Sequence, residues 1–175
     1  EIALGWSTFN GDHMSMYSVN ASIPKTLVRE LVRYEAKKVD DEEIKSLLLD
    51  IVDTPVSPEL LPGEDGEIGQ KTEEIIGPYE IHDFYLYHYL HSRFSPSKLL
   101  FIAEKAFEGT YDRKQLVTSL RVFFSRFFTN QFKRSTSVDG ISVWDVSLSP
   151  RGGWRMPSDA KKKLWIDEID ALDEA

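Results

Sequence analysis

The sequence contains no cysteine. That excludes disulfides, thiolate metal sites and cysteine nucleophiles. It has no run of about eighteen apolar residues, so no membrane-spanning helix is expected. The opening residues, Glu1-Ile2-Ala3-Leu4-Gly5-Trp6, carry neither the basic start nor the long apolar core of a secretory signal. Together with the missing cysteines, this favours the cytoplasm. The chain also lacks an initiator methionine and reads as cut or trimmed from a longer polypeptide. Gly-x-Ser-x-Gly, Gly-x-x-x-x-Gly-Lys-Ser/Thr and His-Glu-x-x-His are all absent, so no nucleophile elbow, P-loop or zincin pair can be read. Internal repeats and low-complexity tracts are absent too.

Positive charge is scarce overall, with a formal net charge of -8. This argues against non-specific binding to DNA or an anionic membrane over the whole surface. At 175 residues and 41% hydrophobic, the chain is long enough for one domain, or a large piece of one, with a real core. One stretch runs against the charge balance. Arg121, Arg126, Lys133, Arg134, Arg151 and Arg155 outnumber Asp139 and Asp145 between 121 and 155. Phe123, Phe124, Phe127, Phe128, Phe132, Trp144 and Trp154 lie among them. Cations suit phosphate and rings suit a base, so the stretch fits a phosphate-bearing, flat-ringed ligand. It fits equally a core helix with a solvated face, followed by a loop.

Periodicity predicts a mostly helical chain with little strand. Pro24 is expected at the first helical position, followed by Leu27, Val28, Leu31, Val32 and Ala36 at helical spacing. Asp40 or Asp41 caps a second helix, with Ile44, Leu47, Leu48 and Ile51 on one face. Asp53 to Lys71, rich in proline, glycine and acids, reads as a long loop, either functional or disordered, with Val56, Leu60 and Leu61 expected to pack part of it. Helices follow from about Tyr79 to Ser92, after Ser95-Pro96, and after Asp112 through Phe128 towards Phe132. Ile141 to Trp144 reads as a short strand or extended loop, and Ser149 to Pro157 as irregular. A last helix is expected from a cap at Ser158 or Asp159.

Few residues offer chemistry by spacing alone. His88 and His91 can share a helix face, but an aromatic packing face with polar tips explains them better than a metal does. Lys25 sits in a first helical turn, where a cation opposes the helix dipole and an anion is welcome. A bound phosphate or plain solvation would each account for it. Arg151 and Arg155 flank Gly152-Gly153, where bare backbone permits close approach of a ligand or another chain.

Specific strings then carry more than periodicity. They include Leu4-Gly5-Trp6-Ser7-Thr8-Phe9, Gly11-Asp12-His13-Met14 and Asn20-Ala21-Ser22-Ile23-Pro24-Lys25-Thr26. They continue with Asp53-Thr54-Pro55-Val56-Ser57-Pro58, Gly77-Pro78-Tyr79-Glu80 and Phe94-Ser95-Pro96-Ser97-Lys98. Arg126-Phe127-Phe128, Gln131-Phe132-Lys133-Arg134-Ser135, and Leu148-Ser149-Pro150-Arg151-Gly152 with Trp154-Arg155 complete them. In this order, over essentially the whole chain, they resemble the synthetase part of NAD synthetases of the long, glutamine-dependent type.

The resemblance implies an ATP-dependent ligase acting on deamido-NAD through an acyl-adenylate, with ammonia from glutamine or free. Residues 1–175 would be the C-terminal portion of the synthetase domain. The parent fold would be α/β, a Rossmann-like ATP-pyrophosphatase (adenine nucleotide alpha-hydrolase-like) domain, and a homodimer or larger homo-oligomer would form through it. By the same resemblance, Glu1, Trp6, Ser7, Thr8, Phe9 and Lys133 contact deamido-NAD, and Lys25 and Ser57 lie at ATP. Glu1 in some relatives binds Mg²⁺. Two features depart from the family. The Ser-Gly-Gly-x-Asp-Ser loop and the glutaminase are not in this sequence, so the chain alone is expected to be inactive. Gly153 also stands where relatives more often have Asp. A stand-alone nucleotide- or RNA-binding helical module using 121–155 is the alternative.

Overall fold

The computed structural model describes residues 1–11, 14–56 and 72–173. These residues form eight helices: α1 Lys25–Ala36, α2 Glu42–Asp53, α3 Thr72–Ile76, α4 Tyr79–Ser92, α5 Pro96–Ala106, α6 Arg113–Thr129, α7 Gln131–Ser135 and α8 Lys163–Asp173. Strand pairing among the described residues is a single parallel bridge, Ser18 to Gly140. Two compact units emerge, one of Glu1–Ser22 with Ile81–Ala175 and one of Ile23–Glu80.

In the first unit α6 is the core helix. Its Leu116, Val117, Leu120, Phe123, Phe124, Phe127 and Phe128 are all buried. Buried aromatic side chains each contribute roughly 1.5–3 kcal/mol of transfer free energy. The helix starts at a reciprocal capping box. The Asp112 carboxylate accepts from the Gln115 N–H at 2.7 Å, and the Asp112 N–H donates to the Gln115 side chain at 3.1 Å. From α4, Tyr89 meets Phe124 and Phe127 edge-on, with ring centroids 5.1 and 5.5 Å apart. The buried Tyr85 O–H donates to the Leu116 carbonyl at 3.0 Å. Burial raises the Tyr85 pKa above the ordinary phenol value. Helix α5 contributes Leu99, Leu100 and Ala103, and α8 contributes Ile169. Ser95 caps α5 with Pro96 at its start, as the sequence predicts.

The irregular segment 149–157 is anchored rather than loose. Trp154 packs on Tyr89 and Phe127 at 5.6 and 5.7 Å, and the Arg93 guanidinium lies 4.9 Å from its ring centroid. Residues 139–143 run beside 18–22 as an extended loop. The Ser18 N–H donates to the Asp139 carbonyl at 2.7 Å, and the Val143 N–H donates to the Ser22 hydroxyl at 2.8 Å.

In the second unit α1 and α2 pack as a pair. Arg29 reaches across to donate to the Val52 carbonyl at 2.9 Å. Asp41 caps α2, accepting from the Glu43 and Ile44 N–H groups. Of the face predicted for α2, Leu48 is half-buried and the rest is exposed. Ile44, Leu47 and Ile51 are 48%, 56% and 64% exposed, and Val52 is the helix's buried residue.

Three further expectations are corrected. Pro24 is the N-cap of α1, not its first residue, because its ψ of 154° is extended; Lys25 opens the helix. Helix α8 begins at Lys163 rather than near Ser158, because Ala160 bonds back to Pro157 in a turn before Lys162 accepts from Trp165 and Ile166. The long helix divides at Asn130, so Lys133 lies on the separate α7. The loop expected from Asp53 to Lys71 contributes the last residue of α2 and then Thr54 to Val56; residues 57–71 lie outside the described part.

Candidate functional site

The start of the chain lies along the junction of α6 and α7, where side-chain donors hold the carbonyls of Ile2, Ala3, Leu4, Gly5 and Ser7. The Leu4 carbonyl accepts from Arg126 Nε and from Asn130 Nδ2, each at 3.1 Å. The Gly5 and Ser7 carbonyls accept from Lys133 Nζ at 2.8 and 2.6 Å. The Ala3 carbonyl accepts from Arg134 Nη1 at 2.6 Å, and Ile2 is a longer partner of the same nitrogen at 3.4 Å. Arg134 Nη2 donates to the Phe127 carbonyl, and its Nε donates to Gln131 Oε1 at 2.9 Å. Arg126 lies in the last turn of α6, Asn130 at the break, and Lys133 and Arg134 on α7.

The cations at this junction are stabilised by carbonyl dipoles. Among the described residues, Arg126, Lys133 and Arg134 have no carboxylate within ion-pair distance. Arg134 is 1% exposed, and burial pulls its pKa down to about 10. Burial lowers Arg126 as well. Lys133 is lowered first by burial and then by the neighbouring charge of Arg126. Positive charge held without a counter-ion at a half-exposed surface favours an anionic ligand.

Rings border the same place. The Arg126 guanidinium lies 4.8 Å from the Trp6 ring centroid. Phe9 and Phe132, both part-exposed, meet at 5.4 Å. The chain turns tightly here: the Trp6 N–H donates to the Glu1 carbonyl at 3.1 Å, and the Gly11 N–H to the Thr8 carbonyl at 3.0 Å. Gly5 takes a φ of +60°, and a Cβ there would come within 2.3 Å of the Asn130 side chain. Only glycine fits that approach.

The structure thus brings Trp6, Ser7, Thr8, Phe9 and Lys133 together, with Glu1 starting the same turn. Lys25 belongs to the other unit, where it opens α1 with Nζ 6.0 Å from the Tyr79 ring centroid. No acidic residue shares its helical turn. Ser57 and His13 lie outside the described residues. Among the described residues, no group of three or more His, Asp or Glu side chains is placed to hold a metal ion. His88 stacks parallel to Phe94 at 5.9 Å and His91 on Tyr87 at 5.0 Å, so both serve the aromatic face. Burial, and then the neighbouring His91, lower the His88 pKa. Arg151 pairs with Asp139 and donates to the Ser137 carbonyl, which ties the 149–153 turn to the segment after α7.

Sequence reasoning missed Asn130 and gave Arg126 and Arg134 no separate role. No spacing signal marks them, because the helix breaks at Asn130 and their carbonyl partners lie at the far end of the chain.

No family model matches the chain. The glutamine-dependent NAD(+) synthetase of Mycobacterium leprae is 38% identical over 97% of this chain, which covers 28% of that protein. The Mycobacterium tuberculosis protein of the same name is 37% identical over the same shares. That of Synechocystis is 27% identical over 90% of this chain and 24% of its own length. A crystal structure of a glutamine-dependent NAD(+) synthetase from Cytophaga hutchinsonii superposes with a TM-score of 0.69. It covers 99% of this chain and 25% of that one at 18% identity, a likeness of fold. Over 97% of its length the chain is thus similar to a segment of glutamine-dependent NAD(+) synthetases, and it spans about 28% of the length of the relatives it matches.

Proposed function

We propose that this chain is the C-terminal part of the synthetase domain of a glutamine-dependent NAD synthetase, a ligase that converts deamido-NAD to NAD. In the proposed reaction a nicotinate carboxylate oxygen attacks the α-phosphorus of ATP and pyrophosphate leaves. Ammonia, from glutamine or free, then attacks the acyl carbon, and AMP leaves with the carboxylate oxygen. The parent domain on this reading is the Rossmann-like α/β ATP-pyrophosphatase fold. It assembles as a homodimer or larger homo-oligomer.

The observation that carries this reading is the convergence of the Trp6–Phe9 run with Lys133 at the α6–α7 junction. A dinucleotide presents anionic groups and flat rings. Lys133 and Arg126 offer cations without carboxylate partners among the described residues, and Trp6, Phe9 and Phe132 offer rings. Two of the Lys133 donors are used on Gly5 and Ser7, which leaves one ammonium N–H for a ligand. Lys25 is the residue proposed at the ATP phosphates, since a helix start welcomes an anion. Ser57 is proposed near ATP on the resemblance alone. Mg²⁺ fits less well: Glu1 is an exposed carboxylate and belongs to no cluster of metal ligands among the described residues. These residues do not make a metal site by themselves, and the metal belongs with the ATP phosphates.

For the RNA-module alternative, Phe132 and Trp144 of the stretch 121–155 remain exposed, whereas other rings of the stretch are not. Phe123, Phe124, Phe127 and Phe128 are buried, and Arg121 is paired with Asp170 and Asp173. The test is Lys133→Ala in the full-length protein, assayed for NAD formation from ATP, deamido-NAD and ammonia. A charged contact is worth about 1.5–3 kcal/mol, so kcat/KM for deamido-NAD should fall at least about tenfold. An unchanged kcat/KM removes Lys133 from the site.

A further inference from the structure

We propose that Arg126 and Asn130 are positioning residues that fix the Trp6–Phe9 run in its ligand-binding shape; this rests on the proposed function. The two side chains grip one part-buried carbonyl, that of Leu4, through Arg126 Nε and Asn130 Nδ2, each at 3.1 Å. Both lone pairs of that oxygen are thereby used. Asn130 Nδ2 also donates to the Arg126 carbonyl at 3.0 Å. With two carbonyls facing the nitrogen, the amide has a single favourable orientation. Its own Cβ lies where Gly5 passes too closely for any side chain, so the turn into Trp6 is shaped against Asn130.

Arg126 then sets the ring. Trp6 Nε1 is buried and makes no hydrogen bond, so the indole is not oriented by its own donor. The guanidinium 4.8 Å from the ring centroid supplies the orienting contact instead. One planar group therefore holds both the backbone before Trp6 and the Trp6 ring. Lysine could supply the charge, but not the directed Nε–H together with the flat stacking face. Asn130 sits at the break between α6 and α7, with φ -98° and ψ 15°, and its grip couples the run to the break that presents Lys133.

The test uses the full-length protein with Arg126→Lys, Arg126→Gln and Asn130→Ala. Steady-state kinetics are measured separately for deamido-NAD and ATP, alongside thermal midpoints. All three variants should raise the deamido-NAD KM by about fivefold or more while the ATP KM stays within about twofold. Recovery of the wild-type KM by Arg126→Lys, with Arg126→Gln impaired, overturns the proposal, because Arg126 then acts only as a charge. Equal changes in both KM values, or a lowered midpoint with neither KM changed, also overturn it as a merely structural role. If the Arg126 variants do not fold, Asn130→Ala keeps the charge and the stack and carries the same test alone. A wild-type protein that binds no deamido-NAD defeats the proposed function, and this inference falls with it. Wild-type binding with unchanged variants defeats this inference only.

Discussion

At Gly153 a single missing side chain shapes a turn. A Cβ there would lie 2.3 Å from the Ser147 carbonyl oxygen, whereas at the adjacent Gly152 it would meet nothing within 4 Å. Both the Gly153 and Trp154 N–H groups bond to the Ser149 carbonyl, at 2.8 and 3.1 Å, so the backbone has little freedom to move away. The turn in turn delivers Trp154 to the Tyr89–Phe127 cluster. Gly153→Ala should therefore destabilise, and Gly152→Ala should do so much less. Overpacking of this kind costs about 1–3 kcal/mol. For a chain of this size that corresponds to a fall in thermal midpoint of roughly 2–4 °C per kcal/mol. Equal midpoints for the two variants would contradict the steric reading. The resemblance implies a departure from Asp at Gly153; the sequence could not show the reason, because Ser147 approaches only through the folded turn.

The elements whose ends are set by local chemistry were the most legible. Ser95 and Asp112 cap the helices that the sequence assigns to them, and Asp41 is the one of the two candidates that caps α2, because a short polar side chain before an apolar period satisfies the first N–H groups within three residues. The capping box of α6 makes the strongest case. Asp112→Ala should cost about 1 kcal/mol, and thermal denaturation is the measurement; no loss would mean the box is redundant with the α6 core. Distant partners were not legible. Nothing in the period of α6 marks Asn130 as the place where the helix breaks, because its amide bonds to Leu4 across 126 positions. The apolar face of α2 was readable as a pattern, but a pattern does not say what covers it, and Ile44, Leu47 and Ile51 are exposed here. Within the candidate site, Trp6 to Phe9 and Lys133 were named through resemblance to a family. Their meeting depends on lysine and arginine donors that reach backbone carbonyls, which spacing does not encode.

Across the whole molecule, the described residues supply the junction proposed to face deamido-NAD but little means of driving the proposed adenylation. Forming an acyl-adenylate requires the triphosphate to be gripped and the departing pyrophosphate to be neutralised by fixed donors. The glycine-rich Ser-Gly-Gly-x-Asp-Ser loop that would cradle it is not in this sequence. Arg134 has its guanidinium engaged by Ala3, Phe127 and Gln131, and Lys133 spends two donors on Gly5 and Ser7. Lys25 is one point charge at the start of a helix, in a different compact unit from Lys133. The chain also spans about 28% of the length of its relatives. The isolated 175-residue chain should therefore release no AMP or pyrophosphate above background from ATP, deamido-NAD and ammonia, while the full-length protein does so under the same conditions. Stoichiometric AMP and NAD from the isolated chain would show that its own cations suffice for the triphosphate. That result would move the adenylation site onto residues 1–175.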